Sequence, residues 1–261
     1  MADMIKSKDN SLVKQIHKLM ISSKERKNTQ SFVCEGLRLC RDAVLSGAKI
    51  PYFLYTAKAV EKYSDEIAFI SSKAERRFVI SDSVFEKITD TKSPQGFLCV
   101  VNNNKDQLIG SLQKGKKYVG LERIQDPSNM GTILRTAEAL GADGVIMSSD
   151  CCDVFSPKVV RGSMGAVFRL PFIITDDITA LIYEYNIKGI KSYASTPKDA
   201  KNINDIDFDD GGIMLIGNEG NGLSEELMNV STERVKITMK GRAESLNASA
   251  AAAILLYKFI C

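Results

Sequence analysis

Residues that could bind a phosphate group lie at the start of one predicted helix. Within residues 121–137, Asn129 and Gly131 occupy the first helical turn, where backbone N–H groups have no partner in the helix. Arg135 follows about one turn later, and its planar guanidinium can bind a phosphate through two N–H groups at once. This stretch therefore predicts an anion-binding site. An ordinary capped helix with a surface arginine is the alternative.

A second candidate site is a glycine-rich loop. Gly217, Gly220 and Gly222 follow an apolar run that predicts a buried strand. Glycine permits positive φ and lets the backbone approach a ligand closely. The spacing differs from the G-x-G-x-x-G loop of dinucleotide-binding proteins, and Glu219 would repel a pyrophosphate. A nicotinamide cofactor is therefore not expected, while a glycine-rich turn without a ligand is the alternative.

The third candidate site is the start of the last predicted helix. A predicted strand ends near Thr238, a loop follows, and the helix begins near Asn247 with a run of alanines. The Asn247 amide offers both a hydrogen-bond donor and an acceptor at this position. Small side chains allow a tight chain crossing or a subunit interface, but they also suit any helix of high propensity.

The elements that must position these three stretches form a regular alternation. The predicted strands are 118–124, 144–147, 168–171, 189–194, 212–216 and 235–238, and the predicted helices are 128–140, 156–164, 177–185, 223–230 and 246–260. Strands that alternate with helices predict an α/β fold with a mostly parallel sheet covered on both faces. Ligands of such sheets bind beyond the carboxyl ends of the strands.

The first half of the chain predicts a separate, smaller α/β unit. Helices are predicted at 11–22, at 35–46, from residue 58 and at 83–89, and strands at 52–55, 77–80 and 97–101. The polar stretch 102–117 predicts a linker, so the predicted domains are 1–106 and 107–261. Part of that stretch is similar to a phosphate-binding P-loop. It lacks the hydroxyl residue after the lysine, and a strand follows it where a P-loop requires a helix.

Charge is divided unevenly between the two halves. Residues 1–117 hold 21 Lys and Arg against 13 Asp and Glu, whereas residues 118–261 hold 14 against 19. A basic half joined to an acidic half predicts that the basic half meets a polyanion such as RNA. A solvated helix face is the alternative for its early basic residues, which are Lys14, Lys18, Lys24, Arg26, Lys27, Arg38 and Arg41.

Composition excludes several classes of enzyme. His17 is the single histidine among 261 residues, so a histidine-rich metal site is impossible and a Ser-His-Asp triad is not expected. The six cysteines form no C-x-x-C pair, which is typical of reduced cysteines in a cytosolic protein. We expect a cytoplasmic protein without a metal or a membrane span, because the start is polar and the longest apolar stretch is short.

Taken in order, the three stretches resemble the SpoU (TrmH-like) family of RNA methyltransferases, within the SPOUT superfamily. The resemblance rests on N-x-G-x3-R at 129–135, I-G-N-E-G-x-G-L-S at 216–224 and I-x-M-x-G-x3-S-L-N at 237–247. Residues 156–166 are similar to the middle segment of that family. The first half resembles its substrate-binding domain, a small α/β fold shared with certain ribosomal proteins, through residues 32–36 and 94–96.

The resemblance implies transfer of a methyl group from S-adenosylmethionine to a ribose 2′-hydroxyl, with ribosomal RNA as the expected substrate. It also implies a deep trefoil knot in the C-terminal SPOUT domain and a homodimer that shares residues between its active sites. The implied cofactor contacts are Gly217, Ile237, Met239 and Leu246, and the implied reaction centre is Asn129, Arg135, Glu219 and Asn247. Lys14, Lys18, Arg38 and Arg41 are the expected RNA-binding residues.

Within this scheme we expect distinct roles for the polar residues. Arginine stays protonated in proteins, so Arg135 is expected to hold the phosphate beside the target ribose and not to act as a base. Asn129 and Asn247 are expected to orient the hydroxyl, and Glu219 to position Arg135. Three alternatives stay open: a transfer-RNA ribose methyltransferase, a catalytically silent knotted RNA-binding protein, and an enzyme acting on a small nucleotide.

Overall fold

The computed structural model describes residues 4–103, 110–243 and 245–261. The chain divides into two compact units, of which the first comprises Met1–Asp106 and Phe155–Phe168 and the second Gln107–Val154 and Arg169–Cys261. The predicted boundary after residue 106, and part of the predicted linker, fall on residues 104–109 and so lie outside the described residues. The two units also differ from the predicted domains in grouping residues 155–168 with the first half.

Most of the helices and strands follow one another in the predicted order. In the first part of the chain they are α1 (Ser11–Ile21), α2 (Ser23–Thr29), β1 (Ser31–Glu35), α3 (Leu37–Leu45), β2 (Tyr52–Thr56), α4 (Ala57–Lys62), α5 (Ser64–Ser71), β3 (Arg76–Ile80), α6 (Asp82–Phe85) and β4 (Phe97–Asn102). The remaining elements are β5 (Lys117–Leu121), α7 (Pro127–Leu140), β6 (Gly144–Ser148), α8 (Pro157–Ser163), α9 (Ala166–Arg169), β7 (Phe172–Thr175), α10 (Ile178–Ile187), β8 (Ser192–Ser195), β9 (Lys201–Asn202), a 3-10 turn (Ile203–Asp205), β10 (Gly212–Ile216), α11 (Glu225–Val230), β11 (Glu233–Lys236) and α12 (Ala248–Ile260).

The first unit is built on a four-stranded sheet. Its strand order is β1-β4-β2-β3, with β4 antiparallel to both of its neighbours and β2 parallel to β3. The apolar stripe of α1, Val13, Ile16 and Leu19, joins a core that includes Leu54 and Leu98 of the sheet. Burial of this stripe, which recurs at helical spacing, holds α1 on the sheet.

The second unit is built on a seven-stranded sheet in the order β7-β6-β5-β10-β8-β11-β9. Every neighbouring pair in it is parallel. All five residues of β6 and of β10 are buried, as is expected for strands covered on both faces. The predicted α/β fold with a mostly parallel sheet is therefore confirmed, while the knot stays a prediction.

The sheet order brings two of the three sequence stretches together. Strand β10 lies beside β5 with Ile216 opposite Leu121, so the loops that follow the two strands leave the sheet side by side. Helix α12 packs against α7 and also lies against β10, which brings the third stretch to the same edge. This is the edge at the carboxyl ends of the strands, where α/β proteins bind ligands.

One predicted strand is wrong, because the unpredicted helix α9 takes part of its place, and three further elements lacked a signal. Residues 168–171, predicted as a strand, instead end α9 and precede β7. Gly165, at φ 88°, begins this turn, and its carbonyl accepts the Phe168 N–H at 3.0 Å. Helix α2 and strands β1 and β9 were not predicted. The sequence of α2, SKERKNT, has no apolar period, and its start depends on the Ser22 hydroxyl, which accepts the Glu25 N–H at 3.2 Å.

Arg26 corrects the predicted basic surface. It is 7% exposed. One guanidinium nitrogen donates to the carbonyl oxygens of Leu19 at 2.5 Å and Met20 at 3.2 Å, which lie in the last turn of α1. A cation bound to these otherwise unpaired carbonyls stabilises the helix end. Arg26 is therefore a buried structural residue and not part of a phosphate-facing surface.

The described ranges contain neither a membrane-spanning helix nor a metal-binding cluster. None of the helices there is both long and apolar enough to cross a bilayer. In the same residues, no group of three or more His, Cys, Asp and Glu side chains is placed to hold a metal ion.

Candidate functional site

A buried carboxylate joins the end of β5 to both ends of the glycine-rich loop. Glu122, directly after β5, is 6% exposed. Its carboxylate accepts the backbone N–H of Ser224 at 2.7 Å and the Ser224 hydroxyl at 2.6 Å, while its own N–H donates to the Ile216 carbonyl at 3.0 Å. Ile216 and Ser224 flank the loop, so Glu122 fixes both of its ends. Charge-assisted hydrogen bonds of this length are the strong ones.

The loop folds back on itself at its first glycine. A Cβ on Gly217 would lie 2.2 Å from the carbonyl carbon of Gly222 and 2.3 Å from the nitrogen of Leu223. The backbone of Asn218 exchanges two hydrogen bonds with that of Gly222, at 3.0 and 2.9 Å. Only a residue without a side chain fits where Gly217 lies. A close backbone approach of the kind that glycine permits therefore occurs here. The two backbone segments that approach each other belong to the same loop.

The Asn218 side chain connects the loop to the β5 edge. Its amide nitrogen donates to the Arg123 carbonyl at 2.8 Å, and its amide oxygen accepts the backbone N–H groups of Gly220 and Asn221, both at 3.0 Å. Arg123 has φ 54°, in the left-handed region that a side chain other than glycine rarely adopts. Its N–H donates to the Ser148 hydroxyl at 2.9 Å. The strained residue is thus bound to the ends of both neighbouring strands.

Glu219 joins the glycine-rich loop to the start of α7. One carboxylate oxygen accepts the Asp126 N–H at 3.0 Å and the Asn129 side-chain amide at 3.1 Å. The other accepts the Gln125 N–H at 3.1 Å and the Asn218 amide at 3.3 Å. Burial is the largest single influence on the pKa of Glu219 and raises it. The hydrogen bonds from Asp126, Asn129 and Gln125 outweigh burial and hold the pKa below its ordinary value.

The chain of side-chain amides continues to the third stretch. The Asn129 amide oxygen accepts from the Asn247 amide nitrogen at 3.1 Å. The Asn247 amide oxygen in turn accepts the N–H groups of Ser249 at 3.0 Å and Ala250 at 3.3 Å, which caps α12. Glu219, Asn129 and Asn247 therefore form one hydrogen-bonded row across the three stretches, and each bond fixes the orientation of the next amide.

A pocket of about 300 Å³ lies beside this row. The residues with an implied cofactor role all line it: Gly217, Ile237, Met239 and Leu246. Glu219 also lines it, together with apolar side chains that include Ile216, Val235 and Leu255. The volume is within the range of small-ligand sites, and mixed apolar walls with a few fixed polar groups are typical of them.

Other predicted site residues lie elsewhere. Arg135 is exposed on α7, six residues beyond Asn129, and the described residues give its guanidinium no hydrogen bond or ion pair. The four oxygen contacts of Glu219 go to other groups, so Glu219 does not position Arg135 within this chain. Gly131 is buried in α7, and the helical pairing already begins with the Met130 N–H, so the expected unpaired N–H of Gly131 is wrong.

The four predicted RNA-binding residues are all exposed on the first unit. Lys18 and Arg38 have no ion pair among the described residues. Lys14 forms an ion pair with Asp9 at 2.9 Å, and the Arg41 guanidinium lies 5.9 Å from the centre of the Phe69 ring.

Sequence reasoning missed the residues that hold the pocket together. Glu122, Ser148 and Gln125 were not singled out, although each makes a hydrogen bond that joins two loops. One feature of the sequence could have identified Glu122 as a functional residue. A charged residue directly after a buried strand, and thus at the ligand-binding edge of a parallel sheet, requires a partner.

Two family models match this sequence. Residues 116–257 match the model described as the SpoU rRNA Methylase family, which is more than half of the chain. Residues 10–99 match the MRM3-like substrate binding domain. The two matches correspond to the two halves that charge and element order distinguish.

Similar proteins extend over nearly the whole chain. An uncharacterized tRNA/rRNA methyltransferase of Synechocystis, slr1673, is 32% identical and aligned over 97% of this chain and 92% of that protein. The Bacillus subtilis 23S rRNA (guanosine(2553)-2′-O)-methyltransferase RlmP is 28% identical, over 97% of each. The structure of an AdoMet-bound rRNA methyltransferase from Sinorhizobium meliloti has a TM-score of 0.85 at 31% identity and covers 98% of this chain and 96% of that one.

The close backbone contact of the loop predicts unequal effects of two glycine substitutions. Gly217→Ala forces Gly222 and Leu223 apart, and overpacking of this kind lowers the free energy of unfolding by about 1–3 kcal/mol. Gly220→Ala is the matched control, since the nearest atom to its Cβ would be 3.6 Å away. Urea unfolding followed by circular dichroism measures both. Equal stability of the two variants would contradict the geometry of the loop.

Proposed function

Since the chain belongs to the SpoU rRNA methylase family, we propose that it transfers a methyl group from S-adenosylmethionine to a ribose 2′-hydroxyl of ribosomal RNA. The observation that carries the proposal is the row Glu219–Asn129–Asn247 beside the pocket. It brings the three family motifs into one site. The similarity to RlmP, whose name specifies 23S rRNA and a 2′-O position, supports the substrate class and the acceptor atom.

The pocket fits the proposed cofactor. Gly217 lines it, and Ile237, Met239 and Leu246 line the same space. These four residues would hold the cofactor, with backbone groups for its polar edges and apolar side chains for its rings and chain. When bound, S-adenosylmethionine supplies an electrophilic methyl group on a positively charged sulfur. The AdoMet-bound relative from Sinorhizobium meliloti supports this assignment.

The row of polar side chains would orient the acceptor hydroxyl. Each Asn amide is held by its neighbour, Asn129 between Glu219 and Asn247, and Asn247 between Asn129 and α12. Fixed donors and acceptors need no reorganisation when the hydroxyl binds, and correct positioning is a large part of the rate enhancement in such reactions. Glu219 stays ionised and fully hydrogen bonded, so we propose it as a positioning residue and not as the proton acceptor.

Arg135 would bind the phosphate beside the target ribose. Its guanidinium is exposed and unpaired in the described part of the chain, so its N–H groups are available to an external oxyanion. A guanidinium stays protonated and cannot remove the proton of the hydroxyl. A role as phosphate ligand and as stabiliser of the developing alkoxide agrees with both properties.

The first domain, residues 1–106, would deliver the RNA. It contains the match to a substrate-binding domain and the excess of basic residues. Exposed Lys14, Lys18, Arg38 and Arg41 would contact the phosphate backbone. With ribosomal RNA as its substrate, the protein would act in the cytoplasm.

The functional experiment uses the purified protein, tritiated S-adenosylmethionine and RNA from a strain that lacks the gene. We expect label in 23S rRNA at a ribose that resists alkaline cleavage. Label in transfer RNA alone would favour the tRNA alternative. Cofactor binding without label in any RNA would favour the catalytically silent alternative.

Glu219→Gln tests the positioning row in the same assay. A neutral amide cannot accept all four hydrogen bonds, so we expect kcat to fall at least about tenfold, which corresponds to about 1.4 kcal/mol. Glu226→Gln, an exposed carboxylate on α11, is the control and should keep wild-type kcat. An unchanged kcat in Glu219→Gln would remove Glu219 from the mechanism.

We also propose that two copies form a homodimer through α12. Ile254 and Tyr257 are 44% and 65% exposed on this mostly apolar helix, and both line a second groove together with Ile237, Ala253 and polar residues that include Lys240 and Lys258. Large exposed apolar side chains on one helix face favour burial in an interface. The exposed Arg135 lies on α7, which packs against α12, and would then be placed to serve the site of the second copy.

Sedimentation velocity at micromolar concentration tests the dimer. The wild type should sediment as a dimer of 28.7 kDa chains. Tyr257→Glu should sediment as a monomer, because it would bury an unpaired charge in the interface. Tyr183→Glu changes another exposed tyrosine, on α10, and should leave the dimer intact. A monomeric wild type, or a dimeric Tyr257→Glu, would contradict this interface.

A further inference from the structure

The edge strand of the first sheet carries an arginine held by two aromatic rings. Strand β3 lies at the end of the order β1-β4-β2-β3, and Arg76 is its first residue. Tyr52 lies directly opposite Arg76 on β2, and Phe78 lies two residues further along β3. Because side chains alternate along a strand, these three residues share one face of the sheet.

The guanidinium of Arg76 lies over both rings. Its central carbon is 5.6 Å from the centre of the Tyr52 ring and 5.1 Å from that of Phe78, and the two ring centres are 6.3 Å apart. The rings are half-buried against the core of the unit, whereas Arg76 is exposed. Contact with two anchored rings restricts an otherwise flexible side chain, so its N–H groups are held in one region of the surface.

The N–H groups of this guanidinium have no acceptor within the described chain, since Arg76 makes no hydrogen bond or ion pair there. The segment as a whole is basic, since residues 73–77 hold Lys73, Arg76 and Arg77 against Glu75, although Arg77 lies on the other face of the strand. A preorganised planar fork without a partner, in a basic segment, is suited to a phosphate oxyanion.

We propose that Arg76, held by Tyr52 and Phe78, is a binding site for a backbone phosphate of the RNA substrate. This rests on the proposed function, in which the first domain delivers RNA. The site differs from the four basic residues that the sequence predicts, because its arginine contacts two rings, whereas Arg41 contacts one and the other three contact none among the described residues. It therefore binds one phosphate at a defined place and sets the register of the RNA on the domain.

Arg77 provides a matched control at the next position. It has the same charge and is also exposed, but its guanidinium donates to the Ser71 carbonyl at 3.4 Å and lies over neither ring. Alternation along β3 places it on the opposite face of the sheet. If only charge mattered, substitution of either arginine would weaken RNA binding equally. A defined phosphate site predicts a larger loss for Arg76 than for Arg77.

The test measures binding of purified 23S rRNA by filter retention at several salt concentrations. Arg76→Ala should bind about tenfold more weakly than the wild type, and its logarithmic salt dependence should be smaller by about one unit. Arg77→Ala should lose less than about threefold. Arg76→Lys keeps the charge but loses the planar fork, so it should bind with intermediate affinity.

Further measurements separate this site from the proposed function. All variants should keep the wild-type affinity for S-adenosylmethionine in calorimetry, since the substitutions lie in the other unit, and should stay fully folded at the assay temperature, since they lie on its surface. Equal losses in Arg76→Ala and Arg77→Ala, or none in Arg76→Ala, would overturn the site while wild-type binding and methylation stand. Arg76-dependent binding of phosphatidylglycerol vesicles without Arg76-dependent binding of RNA would also overturn it. Failure of the wild type to bind 23S rRNA would overturn the proposed function as well.

Discussion

The candidate site depends on two carboxylates that are bound by groups from separate loops. Glu122 accepts two hydrogen bonds from Ser224, and Glu219 accepts four from Gln125, Asp126, Asn129 and Asn218. Glu122 is buried, and a buried carboxylate without such partners is costly, so its loops are stable only when they are close enough to supply the donors. Glu219 is exposed, and its four hydrogen bonds join the glycine-rich loop to the start of α7. The same proximity forms the pocket. The contacts that pair the two carboxylates therefore also build the site.

At two residues of the site, the backbone adopts an arrangement that the conformational preferences of single residues do not predict. Gly217 has no room for a side chain because Gly222 and Leu223 lie against it. Arg123 adopts a positive φ, which is unfavourable for a residue with a side chain, but its N–H and carbonyl are both bound by neighbouring loops. Strain of this kind persists where surrounding contacts determine the conformation, and such places are concentrated at functional sites.

The periodic features of the sequence predicted the scaffold well, because they depend on local chemistry. The apolar run of β10 and the stripe of α1 are buried as expected, and the motif residues Asn129, Glu219 and Asn247 meet in one row. Prediction failed where a side chain's role is determined by contacts that its local sequence pattern does not reveal. The guanidinium of Arg26 binds carbonyls seven and six residues away, Glu122 binds a residue 102 positions later, and Glu219 holds Asn129 where Arg135 was expected. No spacing rule within one stretch encodes such partners.

A double-mutant cycle on S-adenosylmethionine affinity measures whether the Glu122–Ser224 pair maintains the cofactor pocket. Calorimetry would compare the wild type with Glu122→Gln, Ser224→Ala and the double variant. We expect both single variants to bind more weakly and the two effects to be coupled by at least about 1 kcal/mol, because Ser224→Ala removes the hydroxyl that donates to the Glu122 carboxylate. Additive effects, or wild-type affinity in Glu122→Gln, would contradict this role of the pair.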